Sequence, residues 1–213
     1  MIKEIYTLYV ERWHFFLDLT WEHLQISLMS IVIATMVGLG LGIMISMYRK
    51  SSSTVLGLTN FIYTIPSIAL FGFLIPFSGI GNTTAIIALS IYALLPMVHN
   101  TYTGIIGIDK EIIEAARGMG STTFQILYKI QIPLAFPVIL SGIRNMVAMT
   151  IALTGIAAFI GAGGLGVAIY RGITTNNSAM TIAGSLLIAL LALLADWGVG
   201  RYEKYIKRKR KLL

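Results

Sequence analysis

Long apolar runs alternate with short polar segments along the chain. The first run, from Leu24 to Tyr48, contains no formally charged residue, and it exceeds the roughly 20 apolar residues that a helix needs to cross a bilayer. Four further runs follow, separated by charged loops or by turn-forming segments such as "SGIGN". The pattern predicts an all-α membrane protein with five transmembrane helices, at about residues 24–48, 54–77, 83–106, 134–157 and 179–199.

The first residues of the chain differ from the spans because charged and aromatic side chains are mixed there. Acidic residues interrupt any apolar core, so this stretch is not expected to be a secretory signal. It predicts instead a short amphipathic lead-in whose aromatic rings suit the headgroup region. Three parts are therefore expected: the lead-in at 1–23, a five-span domain at 24–200 and a basic tail at 201–213.

Composition supports a membrane protein. Hydrophobic residues make up 56% and charged residues 12% of the 213 residues, whereas soluble domains contain roughly 25% charged residues. Cysteine is absent, so disulfide bonds and thiolate metal sites are excluded. No cluster of histidine and carboxylate residues suggests a metal site, and no catalytic constellation is expected.

Basic residues are distributed unequally between the two sides of the predicted bundle. Lysine and arginine concentrate in cytoplasmic loops, so the side that carries more of them is expected to lie inside. One side carries only Lys3, Arg12 and Arg171, and the other carries twelve basic residues: Arg49, Lys50, Lys110, Arg117, Lys129, Arg201, Lys204, Lys207, Arg208, Lys209, Arg210 and Lys211. This distribution predicts an outside N-terminus and an inside C-terminus. The net charge of +7 then needs no nucleic-acid partner, because the tail lies beside anionic membrane lipid.

The longest loop on the predicted cytoplasmic side, residues 107–132, is polar enough to predict two short helices. Asp109 is a candidate N-cap for the first helix, which Gly118 and Gly120 are expected to end. Thr122 and Gln125 have the spacing of a capping box for a second helix, which is expected to run as far as Pro133. Periodicity alone favours an ordinary loop that skims the membrane surface.

The same loop contains a spaced motif, "EAARGMGSTTFQILYKIQIP", from Glu114 to Pro133. It resembles the signature of ABC importer permeases, which reads E-A-A, three residues, G, nine residues, I-x-L-P. The single departure is Ile132 in place of leucine, a change of similar volume. In that family the loop docks into a cytoplasmic ATPase subunit and couples its closure to movement of the spans. The resemblance therefore assigns ATPase coupling to Glu114, Ala115, Ala116, Gly120, Ile130 and Pro133.

Two further segments narrow the resemblance. "YTIPSIALFGFLIPFSGIGNTTAIIALSIYALLPMVHNTYTGI" and "AFIGAGGLGVAIYRGI" look like the permeases of quaternary-amine uptake systems, which import glycine betaine, carnitine and choline as osmoprotectants. The resemblance implies the type I ABC importer permease fold and this class of cargo. Methionine importer permeases carry a similar "GAGGLG", so another small solute remains an alternative. An ATP-independent channel or carrier is an alternative from a different class.

Candidates for the solute path come from breaks in the apolar pattern. Pro66 and Pro96 interrupt helix hydrogen bonding and allow kinks or unwound turns, which can line a path or merely be tolerated. The segment "GAGGLG" is either a gate element or a flexible turn, and the resemblance favours the gate; its candidate glycines are Gly161, Gly163, Gly164 and Gly166. Arg144 lies within the fourth span, where a charge either contacts solute or pairs with protein groups.

The expected partners follow from the resemblance. The sequence has no G-x-x-x-x-G-K-[ST] phosphate loop, so ATP and Mg²⁺ are expected on a partner and no cofactor on this chain. A cytoplasmic ABC ATPase dimer, a second permease subunit (homologous or identical) and an extracytoplasmic substrate-binding protein are implied. The expected location is the plasma membrane of a prokaryote.

Overall fold

The computed structural model describes residues 1–209, and the regular structure within that range is helical. The last four residues of the predicted basic tail lie outside the described residues. The helices are α1 (Ile2–Glu11), α2 (Trp13–Met47), α3 (Ser52–Thr64), α4 (Ser67–Ser78), α5 (Asn82–Ile106), α6 (Lys110–Gly118), α7 (Thr123–Ile126), α8 (Ile132–Thr154), α9 (Gly166–Thr174) and α10 (Ser178–Lys209). Short 3₁₀ segments follow α2 and α8, and a π-helical turn joins α7 to α8.

Five membrane crossings are present if one bent helix pair counts as a single span. Four segments are long and apolar enough to cross by themselves: Trp13–Met47, Asn82–Ile106, Thr123–Ile160 and Ser178–Lys209. The fifth candidate is the pair formed by α3 and α4, which are bent by 100° relative to each other. The predicted all-α architecture is confirmed within the described residues, with four spans, or the predicted five when the bent pair is counted as one.

The bend between α3 and α4 lies at the predicted break at Pro66. Ile65 is extended there, with φ −70° and ψ 127°, because a residue that precedes proline is disfavoured in the helical region. The hydroxyl of Tyr92 on α5 donates a hydrogen bond to the Ile65 carbonyl. The break therefore leaves this carbonyl satisfied although it lies in an apolar environment, as the interior of a membrane protein requires.

The fourth span differs from its prediction, because it does not begin after Pro133. A nearly continuous helical segment extends over 38 residues from Thr123 to Ile160. The π-helical turn at Leu127–Gln131 leads directly into α8, and Pro133 falls in the first turn of that helix. Proline is tolerated in a first turn because its missing N–H has no partner there. The prediction of a separate second helix that stops at Pro133 is wrong.

Three helices, α2, α5 and α8, form the centre of the bundle. Small residues let α2 and α5 approach closely: a Cβ on Gly42 would lie 2.5 Å from the Thr101 side chain, and one on Gly38 would lie 2.7 Å from Met97. Such close contact is a common way to pack helices in a bilayer. The bundle has two ends, which we call the motif end, with α6 and α7, and the glycine end, with residues 161–166.

Two outer helices complete the molecule. Helix α10 packs on α8 and α9, and α1 packs on α10. The Tyr9 hydroxyl donates a hydrogen bond to the Ala183 carbonyl at 2.8 Å. The residues of the predicted lead-in are therefore divided between α1 and the start of α2.

Candidate functional site

The motif end is built by local capping interactions that the sequence predicted. The Asp109 side chain accepts a hydrogen bond from the Glu111 amide at 3.0 Å and caps α6. Thr122 and Gln125 form a reciprocal capping box, with bonds of 2.9 and 3.3 Å between the side chain of each residue and the amide of the other. Gly120 adopts φ +83° between the two helices. Both predicted caps are confirmed, and they fix the angle at which α6 meets α7.

The outer surface of the motif end is apolar as well as charged. Met119 and Phe124 are about three-quarters exposed, at 79% and 69%. The rings of Phe124 and Tyr128 are parallel, with centroids 6.4 Å apart. Exposed apolar side chains beside polar ones are typical of a protein-binding surface. Leu127, in contrast, is buried in the core.

The two alanines of the motif have different surroundings. Ala115 is exposed beside Glu114, whereas Ala116 is 1% exposed and packs within the chain. Ala116 therefore presents no surface to a partner, because its side chain is buried within the protein, and its assignment to ATPase coupling stays a prediction. Ile130 and Pro133 are half-buried at the start of the fourth span, so they fix the position of the motif and present little surface to a partner.

Glu114 lies at a small cavity of about 360 Å³ between the motif end and the end of α2. Three basic side chains, Arg49, Lys110 and Arg117, line the same cavity. Within residues 1–209, the Glu114 side chain forms no hydrogen bond or ion pair. Its carboxylate is therefore available to a donor on another protein.

The glycine end is held together by two residues that the sequence analysis did not identify as functional. The Glu22 carboxylate accepts hydrogen bonds from the Asn82 side chain at 3.0 Å and from the Gly164 amide at 3.1 Å. The Asn82 side-chain oxygen accepts a bond from the Gly163 amide at 2.8 Å. Asn82 is the first residue of α5, and nothing in the sequence pattern indicates that it meets Glu22.

Close packing explains why glycines are needed in this segment. A Cβ on Gly163 would lie 1.9 Å from the Glu22 carboxylate, and one on Gly166 would lie 2.1 Å from the Gly155 carbonyl oxygen. Gly161 and Gly164 have φ angles of +75° and +85°, which other residues rarely adopt. All four predicted glycines therefore lie where a side chain would clash or where the backbone has a positive φ. Whether this structure acts as a gate stays a prediction.

A cavity of about 510 Å³, which we call the central cavity, lies halfway along the bundle between α3, α5 and α8 and has a mixed polar and apolar lining. Its lining includes Pro96, Asn60, Tyr63, His99, Asn100, Asn145 and Met149, and a role of Pro96 in the solute path stays a prediction. The Asn100 side chain donates a hydrogen bond to the Pro96 carbonyl at 2.7 Å. Pro66 lies outside this set of lining residues. Tyr63 and His99 are exposed, so the cavity is open on one side.

Arg144 lies on the other side of α8 from this cavity, although Asn145 beside it lines the cavity. Its guanidinium donates two hydrogen bonds of 2.7 Å to the Asp196 carboxylate and lies 3.5 Å from the Glu203 carboxylate. Ser141 donates to Glu203 at 2.7 Å. Arg144 thus ties α8 to α10, which supports the structural alternative for this residue. Its role in the solute path stays a prediction that the geometry does not favour.

Sequence comparison with known proteins decides the family. A family model described as the inner membrane component of binding-protein-dependent transport systems matches residues 28–208. The chain belongs to this family. The match includes the motif end, the glycine end and the cavity, so all three features are parts of a transport permease.

Three relatives align with nearly the whole permease. The osmoprotectant import permease protein OsmW of Salmonella typhimurium is 41% identical, and the alignment covers 92% of this chain and 97% of the relative. The carnitine transport permease protein OpuCB of Listeria monocytogenes is 39% identical over 93% and 91% of the two chains. The glycine betaine/carnitine/choline transport system permease protein OpuCD of Bacillus subtilis is 38% identical over 99% and 93%.

The fold is also found among solved structures. A chain of the MetNI methionine ABC transporter, in an inward-facing conformation, superposes with a TM-score of 0.83 over 90% of this permease and 95% of its own length. The identity is 24%, so this likeness shows the fold alone. It confirms the predicted type I ABC importer permease fold.

Family membership settles the general properties of the chain. It is a multi-pass protein of the plasma membrane and a transporter subunit, not an enzyme, since ATP is hydrolysed by a separate subunit in ABC transporters. An importer of this kind works with an ATPase and a binding protein.

Proposed function

We propose that this permease imports osmoprotectant quaternary amines, namely glycine betaine, carnitine or choline, in an ATP-driven ABC importer. The observation that carries this proposal is the near-full-length identity of 38–41% to three permeases whose names specify osmoprotectants or these amines. The structural neighbour from a methionine transporter carries no weight for the cargo, because its likeness is one of fold.

The chemistry of the central cavity supports a cationic or zwitterionic solute. Its lining contains side-chain amides and an exposed tyrosine ring, and it includes no lysine or arginine. An aromatic face attracts a quaternary ammonium through the ring quadrupole, so the Tyr63 ring suits such a head group. Arg144, which would repel such a head group, is neutralised by Asp196 on the far side of α8.

We further propose the composition of the complex and the orientation of the chain. The cavity is open on one side, so a second permease, identical or homologous, would complete the path. The motif end would face the cytoplasm and bind an ABC ATPase dimer that holds ATP and Mg²⁺. The glycine end would face outward, where a loaded binding protein docks.

The proposed cycle uses the two ends of the bundle in turn. Binding of the loaded binding protein at the glycine end is followed by ATP-driven closure of the ATPase pair. Closure moves α6 and α7 through the contacts of Glu114, Ala115 and the exposed apolar side chains. Because α7 is continuous with α8 through the π-helical turn, that movement would pass directly to a helix that lines the cavity.

Uptake by the purified, reconstituted complex tests the cargo. Vesicles that contain the permease with its ATPase and binding protein are supplied with labelled glycine betaine, carnitine, choline or methionine, with ATP or ADP inside. We expect ATP-dependent uptake of at least one amine and none of methionine. Uptake of methionine and of none of the amines would show that the proposed cargo is wrong. Amine uptake at the same rate with ADP as with ATP would support an ATP-independent carrier.

Coupling through Glu114 is tested separately with a matched substitution in the same helix. Glu114→Gln removes the unpaired carboxylate and is expected to lower ATP-driven uptake about tenfold, as the loss of a charged contact implies. Glu111→Gln removes an exposed carboxylate at the start of α6 and serves as the control. Equal uptake by both variants would show that Glu114 does not bind the ATPase.

A further inference from the structure

The exposed face of α10 forms a groove with a volume of about 1060 Å³. Its lining includes Leu193, Leu194, Trp197, Arg201, Lys204 and Arg208. The two leucines and the tryptophan are more than half exposed, between 55% and 68%. None of these residues takes part in the motif end, the central cavity or the glycine end.

The side chains of the groove change from apolar to aromatic to basic along α10. Leucines come first, Trp197 follows, and the basic residues lie one to three turns further on. Leu193 and Arg208 are about 22 Å apart along the axis at 1.5 Å per residue. This order and length match one leaflet of a bilayer, in which acyl chains, the interface and the charged headgroups follow one another.

Three basic residues of the groove, Arg201, Lys204 and Arg208, have no carboxylate partner within the described residues. Arg144 at its edge pairs with Asp196, and Lys207 pairs with Glu203. Arg201 lies over the Trp197 ring at 4.8 Å. In residues 1–209, no carboxylate lies within 4.0 Å of a basic nitrogen of Arg201, Lys204 or Arg208.

Three unneutralised cations on two turns of one helix repel each other, so binding of an anion between them lowers their free energy. The apolar part of the same groove is continuous with this cationic part. A ligand that satisfies both parts is an amphiphile with an anionic head and a hydrocarbon chain. A free inorganic anion would leave the leucine part of the groove uncovered.

We propose that the α10 groove is a binding site for an anionic glycerophospholipid. The phosphate group lies between Arg201, Lys204 and Arg208, and an acyl chain runs along Leu193 and Leu194. The site would hold α10 at a fixed depth in the membrane, next to the Arg144–Asp196 pair that joins α10 to α8. The proposal does not depend on the identity of the cargo.

Trp197 provides a direct optical test, because the chain has only three tryptophans. Replacement of Trp13 and Trp21 by phenylalanine leaves Trp197 as the single reporter in the groove. The full-length chain is reconstituted in phosphatidylcholine vesicles that contain brominated phosphatidylglycerol or, at the same mole fraction, brominated phosphatidylcholine. Bromine quenches tryptophan fluorescence at short range, so the ratio of the two quenching curves gives the relative affinity for the anionic lipid.

We expect stronger quenching by brominated phosphatidylglycerol, and we expect Lys204→Gln with Arg208→Gln to reduce the preference about tenfold. The control variant carries Lys50→Gln and Lys129→Gln, which remove two exposed basic side chains at the motif end, and it should keep the preference. An unchanged preference in the groove variant would overturn the proposal, as would an equal loss in the control. If neither lipid quenches Trp197, protein covers the face and the proposal also fails.

Discussion

At the residue scale, the Glu22 side chain fills the space that a side chain at position 163 would occupy at the glycine end. A methyl group on Gly163 would lie 1.9 Å from the Glu22 carboxylate, and that carboxylate also accepts hydrogen bonds from Asn82 and Gly164. Gly163→Ala should therefore displace Glu22 and break both bonds. We expect a loss of about 1–3 kcal/mol of stability, as for other overpacked sites, seen as a lower thermal midpoint of the purified permease.

A double-mutant cycle separates this explanation from a general intolerance of the segment. In a Glu22→Ala background the space beside Gly163 is already free, so adding Gly163→Ala should cost much less than it does in the native chain. Gly57→Ala serves as the control, because a Cβ there meets nothing within 4 Å. The same loss in both backgrounds would show that Glu22 does not determine the need for glycine.

At the element scale, the angle between α6 and α7 depends on Gly120. Its φ of +83° lies in the left-handed region, which costs an L-residue roughly 1–2 kcal/mol and a β-branched residue more. Gly120→Val should therefore turn α7 away from its position against α6. We expect ATP-driven uptake to fall about tenfold or more, with the helical content and the amount of protein in the membrane unchanged.

Gly118→Val is a matched control two residues away. Gly118 lies in α6 without a positive φ, and a Cβ there meets no atom within 4 Å. Valine is also a better helix former than glycine, so this variant should transport normally. Normal uptake by Gly120→Val, with normal assembly of the ATPase, would mean that the angle between the two helices does not matter for coupling.

The elements that the sequence predicted correctly depend on local interactions. The caps at Asp109 and Thr122 involve residues two or three positions apart. Each of the five apolar runs is identified from its own composition, without reference to the helices that it packs against. The continuity through Pro133 was missed because a proline in a sequence is compatible with a break before a helix as well as with the first turn of a helix, and here it occupies the first turn of α8. The burial of Ala116 and the contact of Glu22 with residues 82 and 164 depend on tertiary packing, which no local pattern encodes.

At the scale of the whole molecule, the proposed orientation requires the two ends of the bundle to face opposite compartments. The motif end and the end of α10 lie on the same side, since Glu203 accepts a hydrogen bond from Ser141 in the first half of α8. The start of α10 at Ser178 lies at the other end. The chain contains no cysteine, so single cysteines can report this orientation without a background.

Ser51→Cys and Ser178→Cys place one thiol at each end of the bundle by the same conservative change, and both positions are exposed. The excess of basic residues near Ser51 predicts that it lies inside the cell. In intact cells, a membrane-impermeant maleimide should therefore label the Ser178 variant and react with the Ser51 variant only after permeabilisation. The reverse pattern would place the motif end outside, where no cytoplasmic ATPase can reach Glu114, and the coupling proposal would then fail together with the topology.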